Sequence, residues 1–479
     1  MAKAADVYFR VDPWKIIEQG FDPAYSRVSE SVFSLANETM GVRGCFDEGG
    51  QVDSLRGAYV NGVYDIQRLG RSYRGIIDRT YFLIPAAEWL ATEIILDGER
   101  LDLGRVRFRD FRREMDMREG TLRRSFVWQT ATGKELRLRF LRFVDMTHRE
   151  RAYQRVTLEP LNFSGELLFT AGLSFDLAHE GYRKRYWQVP CGTAEGCRLM
   201  LQADTTRSGQ SLFAAALMEL PENAVLLEES SGERVSLRAA VPLERGRETC
   251  LDRRAVLLFN GQRGKALWQS GLEALGASEA VPLEEAMKAQ EAYWAAYWRT
   301  ADIEIEAEEA GAAAVAMEQQ GIRFCSFQLA QIYNGGSMRH NIGAKGLTGE
   351  AYNGHAFWDT EACCLPFYLF TNPAAARDLL LFRYNTLPQA LERARMLDCQ
   401  GACYPIATIS GEEACSLWQH ASLQLQPGTA VAYGIWHYVR VTGDLDFLYD
   451  YGAEMLLQIA RFLASRAERG GMTGEYGFF

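Results

Sequence analysis

The run Glu135-Leu136-Arg137-Leu138-Arg139-Phe140-Leu141-Arg142-Phe143 alternates apolar and charged residues, and a period of two commits a segment to a strand with one buried face. Leu122 to Trp128 follows the same rule, and Thr132-Gly133 between the two runs supplies a hairpin turn. Glu93 to Glu99 reads as a strand entering an Asp-Gly turn, and Gln154 to Leu158 and Glu233 to Leu237 continue the pattern. Short antiparallel strands without βαβ spacing predict a large N-terminal antiparallel β-super-sandwich over residues 1–265.

The period changes after Gly264. Leu283 to Ala301 is helical, with Pro282 at its start and Trp294 and Trp298 one turn apart, read as packing one domain on another. The acidic stretch Glu304 to Glu309 reads as a solvated connector, so residues 266–320 form a helical linker. From 321 to 479 amphipathic helical runs take over: one beginning at Phe324, then Ala374 to Met396, Ala430 to Arg440 and Phe447 to Arg466. A chain of 479 residues exceeds what one core usually organises, in keeping with a multi-domain protein.

A net charge of −10 argues against nucleic-acid and anionic-membrane partners. Met1 to Arg10 lacks the apolar core of a signal peptide, and no stretch reaches transmembrane length. Ten scattered cysteines without metal-type pairing point to a reducing, cytoplasmic setting and to no metal site. Aromatics at 12%, with 10 Trp and 21 Tyr, suit either sugar platforms or cores.

Two long glycine-dotted loops, Asn334 to Phe357 and Gly401 to Gly428, interrupt the helices, and loops of that length are usually functional. The first, Ile342 to His355, lacks Walker spacing and a preceding strand, which weighs against a phosphate loop. It runs into Phe357-Trp358-Asp359-Thr360-Glu361. An indole beside a carboxylate suits a pyranose, the ring covering C–H surface while the carboxylate accepts from two hydroxyls. Equally, Asp359 or Thr360 suits a helix N-cap with Trp358 in the core. His355 suits a hydroxyl contact or a satisfied structural histidine. In the second loop Glu412 and Glu413 suit acid–base work or a loop end, and His420 suits a hydroxyl contact or a structural histidine.

The runs Lys345 to Glu350 and Gly354 to Glu361, with Pro366-Phe367-Tyr368, Asn372-Pro373, Arg383-Tyr384, Tyr404-Pro405, Gly411-Glu412-Glu413, Thr442-Gly443-Asp444 and Ala460-Arg461-Phe462, resemble glycoside hydrolase family 65. Trp14, Gly20-Phe21-Asp22, Glu30-Ser31, Asn37, Gly41 to Gly44 and Gly62-Val63-Tyr64 extend the resemblance to the start. The resemblance implies inverting α-glucoside phosphorylases acting on maltose, trehalose, kojibiose or nigerose, or a trehalase-like hydrolase. It implies that Trp358 and Asp359 contact the non-reducing glucosyl unit, with His355, Glu413 and His420 as weaker substrate contacts. The implied co-substrate is inorganic phosphate with no other cofactor, and the implied product is β-glucose 1-phosphate. The implied partner is an α-linked glucose disaccharide, and the full-length protein is expected to be a homodimer.

The family's catalytic domain is an (α/α)6 barrel. Twelve helices of about 12 residues with connections of about 5 need roughly 200 residues, and Gly321 to Phe479 supplies 159. Only the first part of the barrel is therefore expected. The resemblance puts the general acid in a Gly-Pro-Asp-Glu-Tyr-like motif past Phe479, so no catalytic residue is assigned. The expectation for these 479 residues alone is a truncated chain without turnover and with exposed helix faces, or else an inactive sugar-binding remnant. Gln424 to Pro427 departs from the histidine-bearing segment of many relatives, which leaves the disaccharide open.

Overall fold

A computed structural model of the chain describes residues 9–50, 53–70, 77–188, 191–306, 312–469 and 476–478. Strand pairing follows the alternation read from the sequence. Thr121–Gln129 pairs antiparallel with Glu135–Val144, setting Trp128 opposite Leu136 and Phe126 opposite Leu138. That register gathers the apolar side chains on one face, where Phe126, Trp128, Leu136 and Leu138 are all at most 1% exposed. Burying each such side chain contributes about 1.5–3 kcal/mol.

The larger sheet has ten strands, in the order Phe9–Asp12, Lys15–Gln19, Arg107–Asp116, Thr121–Gln129, Glu135–Val144, Arg151–Pro160, Thr249–Leu258, Ser211–Glu219, Arg198–Asp204 and Cys191–Glu195. A second sheet runs Val225–Ser230, Arg234–Leu243, Gly165–Ser174, Thr92–Leu96 and Glu99–Arg100. The two sheets pack on each other, so close that a Cβ on Gly192 would sit 2.9 Å from the Val235 side chain. On the larger sheet, Arg112, Arg123, Arg139 and Arg155 help to line a cavity of about 400 Å³, each guanidinium already paired with a carboxylate.

Two compact units divide the chain. The first comprises 1–63, 84–332 and 347–349, and the second 64–83, 333–346 and 350–479. In the first, the helix Leu283–Ala301 lies against the sandwich. Gln290 accepts from the Met146 N–H at 2.9 Å and donates to the Val144 carbonyl at 3.2 Å, and the Trp298 indole donates to the Met117 carbonyl at 2.7 Å. Trp294 packs on Phe327 with ring centroids 4.6 Å apart, and Trp298 meets Trp14 edge-on at 5.1 Å. All these groups belong to the first unit. Within that unit the two tryptophans tie the helix Leu283–Ala301 to the sandwich through Trp14 and to the helix Ala312–Ile332 through Phe327. Gly120, at φ +65°, turns the chain where any Cβ would overlap the Trp294 indole.

Among its described residues the second unit alternates helices with long loops and carries the strand pairs Tyr64–Arg68 with Arg79–Leu83 and Ala467–Arg469 with Tyr476–Phe478. The run expected as one helix from Ala374 to Met396 is two, Pro373–Asn385 and Leu387–Met396. Pro388 lacks the N–H that a continuous helix would use, so the chain breaks at Thr386. Asn372 caps the first of them by accepting from the Ala375 N–H at 3.2 Å. Of the expected connector Glu304 to Glu309, residues 307–309 lie outside the described residues, and 304–306 carry no regular structure. Phe479 lies outside them as well. Among the described residues no helix is long and apolar enough to cross a membrane.

Candidate saccharide site

The segment Phe357 to Glu361 separates into two exposed and two locked side chains. Trp358 is 39% exposed and Asp359 is also exposed, whereas Thr360 and Glu361 are 2% exposed. The locked pair holds the turn from behind. Glu361 takes a bidentate ion pair from Arg383, at 2.6 and 3.0 Å, and Arg383 also donates to the Phe357 carbonyl at 3.3 Å. The Tyr404 hydroxyl donates to the Arg383 carbonyl, and Thr360 donates to the Asn341 side chain at 3.1 Å.

Neither N-cap expected from sequence forms. Asp359 precedes the helical turn in right-handed backbone with no side-chain capping bond, and the Thr360 hydroxyl is spent on Asn341. Trp358 is not in a core. The turn itself, Thr360–Cys364, is π-helical, leading into Leu365–Thr371. Pro366 lacks the N–H that α-helical spacing would direct to Ala362, which favours the wider turn. Capping therefore leaves the Asp359 carboxylate uncommitted beside a half-open indole face.

The preceding loop is strained. Tyr352 (φ 58°), Asn353 (φ 56°) and Gly354 (φ 70°) are consecutive left-handed residues. At Gly354 a Cβ would sit 2.6 Å from the Leu83 Cβ, so the backbone passes close to the hairpin strand Arg79–Leu83. Tyr352 is 61% exposed, meets the Phe357 ring edge-on at 5.8 Å, and has the Lys345 ammonium 5.7 Å from its centroid. Leu347 to Gly349 of the glycine-rich run belong to the first unit, where Leu347 is buried and Arg43 donates to the Thr348 carbonyl.

His355 is buried with its Nε2–H donating to the Tyr81 carbonyl, and burial pushes its pKa down to about 4, so the ring is neutral. It acts as a strut between the loop and the hairpin. His420 is exposed on the helix Trp418–Leu423, its Nδ1 accepting from the Gln424 amide at 2.5 Å. Glu412 is exposed, and Glu413 is buried with its oxygens taken by backbone N–H groups.

The two long loops meet. Ala356 and Thr408 exchange backbone hydrogen bonds at 2.8 and 3.1 Å, and Phe357 packs on Ile406, Ala407 and Ala421. Sequence reasoning missed Arg383 and Asn341 as anchors and the hairpin 64–83 as a buttress. Arg383 lies 22 residues from Glu361, and nothing local marks the pairing.

Residues 16–297 match the N-terminal domain of glycosyl hydrolase family 65, and residues 323–478 match that family's central catalytic domain. The chain is 32% identical over 474 residues to a maltose phosphorylase of Bacillus subtilis (strain 168), covering 96% of this chain and 60% of that protein. It is 30% identical over 471 residues to an alpha,alpha-trehalose phosphorylase of Thermoanaerobacter brockii, covering 94% and 60%. A solved structure of a human-microbiome protein provisionally assigned as a kojibiose phosphorylase superposes with a TM-score of 0.91 at 37% identity, covering 98% of this chain and 62% of that one. The chain thus spans about 60% of the length of the curated relatives it matches. An antiparallel sheet-rich N-terminal part followed by a helical part is the fold it shares with that structure, and the chain belongs to glycosyl hydrolase family 65.

Proposed function

We propose that the chain is part of an inverting α-glucoside phosphorylase, and that Trp358 and Asp359 form its subsite for the non-reducing glucosyl unit. The observation that carries this reading is the exposed, uncapped Trp358–Asp359 pair on a turn anchored by the buried Glu361–Arg383 ion pair. The indole offers a flat apolar face to the sugar's C–H surface, and the carboxylate accepts from two hydroxyls. Anchoring matters because a subsite left about 1 Å too loose loses its orientation.

In the reaction, a phosphate oxygen attacks the anomeric carbon as the glycosidic C–O bond breaks. A carboxylic acid protonates the departing oxygen, and the α-linkage becomes β-glucose 1-phosphate. An inverting hydrolase needs a second carboxylate to activate water, a role that phosphate's own charge makes unnecessary. Inorganic phosphate is then the co-substrate, with no other cofactor, and the disaccharide is a maltose-, trehalose- or kojibiose-type α-glucoside. The relatives of those names support this reading.

The same reading proposes a sandwich (1–265), a linker (266–320) and the opening helices of an (α/α)6 barrel (321–479), and a homodimeric full-length protein. Ten free thiols support a reducing, cytoplasmic setting. Titration of the chain with glucose tests the subsite: binding is expected, and Asp359→Ala should weaken it tenfold or more, on the order of 1.5–3 kcal/mol for a charged hydrogen-bond partner. Unchanged affinity in Asp359→Ala would refute the assignment.

A further inference from the structure

The Glu413 side chain is 7% exposed, and its carboxylate is bonded by backbone. One oxygen accepts from the Ile406 N–H at 2.8 Å, and the other from the Cys415 N–H at 2.9 Å and the Ala407 N–H at 3.4 Å. Residues 406–407 and 415 are the two limbs of one loop, so a single carboxylate holds both. The Ala414 N–H reaches the Ala407 carbonyl at 2.8 Å, and the Gly411 N–H reaches the Thr408 hydroxyl at 2.7 Å, which closes the loop on itself.

This clasped loop is joined to the saccharide turn at two points. Thr408 pairs with Ala356, two residues before Trp358, and Ile406 and Ala407 pack under Phe357. A rigid path therefore runs from the Glu413 carboxylate through Ile406–Thr408 to the backbone that enters Trp358. The charged and titratable groups facing the carboxylate are Arg393, from the helix Leu387–Met396, and the thiols of Cys403 and Cys415.

We propose that Glu413 is a positioning residue for the saccharide subsite: it clasps the 406–415 loop and thereby fixes the turn that presents Trp358 and Asp359, without touching sugar itself. The proposal rests on the subsite reading above and replaces the weaker substrate-contact role that the family resemblance implies for Glu413. Burial pushes its pKa up to about 7, so the clasp passes from ionised to protonated near neutrality. Ionised, it accepts all three N–H groups. Protonated, it turns a hydroxyl toward donors and holds them less well.

The test is the affinity of the chain for D-glucose, read by tryptophan fluorescence and calorimetry between pH 5.5 and 8.5, in wild type, Glu413→Gln and Asp359→Ala. Wild-type affinity should fall as pH drops through about 7, with thermal melting still cooperative across the range. Glu413→Gln keeps the size but sets an amide donor against backbone donors. It should bind about tenfold more weakly and lose the pH dependence, because the turn it holds is looser. Wild-type affinity that stays flat through neutrality overturns the proposal without recourse to any variant, and so does a Glu413→Gln protein with wild-type affinity and pH profile. If Glu413→Gln binds normally while Asp359→Ala does not, Glu413 alone is wrongly placed. If wild type takes no glucose, the subsite and the role of Glu413 fall together.

Discussion

Arg383 and Glu361 form a bidentate ion pair, at 2.6 and 3.0 Å with both side chains at most 2% exposed, immediately behind the exposed Trp358 and Asp359. Four consecutive residues thus divide the labour, two facing out and two bolting the turn in place.

Breaking that bolt should be costly. Removing one partner of a buried pair leaves the other charge without compensation, which costs about 3–5 kcal/mol. Arg383→Ala also frees the Phe357 carbonyl. Urea unfolding should show a midpoint far below wild type, and an unchanged midpoint would mean that the pair does not anchor the turn.

Trp358→Ala and Asp359→Ala should behave in the opposite way. Both side chains are exposed and Asp359 makes no capping bond, so their loss should shift stability by no more than about 0.5 kcal/mol. Glucose affinity should nevertheless drop about tenfold or more in each. A large fall in melting temperature would point to a packing role instead.

Glu413 should leave a signature in stability against pH. Its folded pKa is raised from 4.5 to about 7, so between those values the folded chain holds a proton that the unfolded chain has released. Stability from this group therefore declines as pH rises from 4.5 to 7 and is level above, by on the order of 3 kcal/mol. Glu413→Gln should flatten that limb of the curve. A variant whose curve keeps the wild-type slope would show that another group is responsible.

Gly120→Ala offers a check on the first unit. The position combines φ +65° with overlap between a Cβ and the Trp294 indole, so the methyl must displace the tryptophan that packs on Phe327. A loss of about 2 kcal/mol or more is expected from strain and overpacking together. Wild-type thermal melting would contradict this packing.

How much of this was legible in the sequence depended on the range of the signal. Alternation between Glu135 and Phe143 announced its strand, and the helix Leu283–Ala301 ends where its pattern ends, because both rest on local periodicity. The break at Thr386 was missed although Pro388 stood in plain view, because the apolar stripe continues through it. At the site, Trp358 and Asp359 stood out as an indole beside a carboxylate. Their support did not. The Arg383–Glu361 pair, the Asn341–Thr360 bond and the Ala356–Thr408 bridge join residues 19 to 52 apart, and the hairpin 64–83 lies far earlier in the chain. Such pairings arise from tertiary packing, which one sequence does not display.

The most direct measurement follows the protein expressed from its complete reading frame. Maltose, trehalose and kojibiose are supplied in turn with inorganic phosphate, and the products are resolved by phosphorus and proton NMR. The account predicts β-glucose 1-phosphate from one of them, formed only when phosphate is present and lost in Asp359→Ala. Free glucose released at the same rate without phosphate, or undiminished turnover in Asp359→Ala, would contradict it.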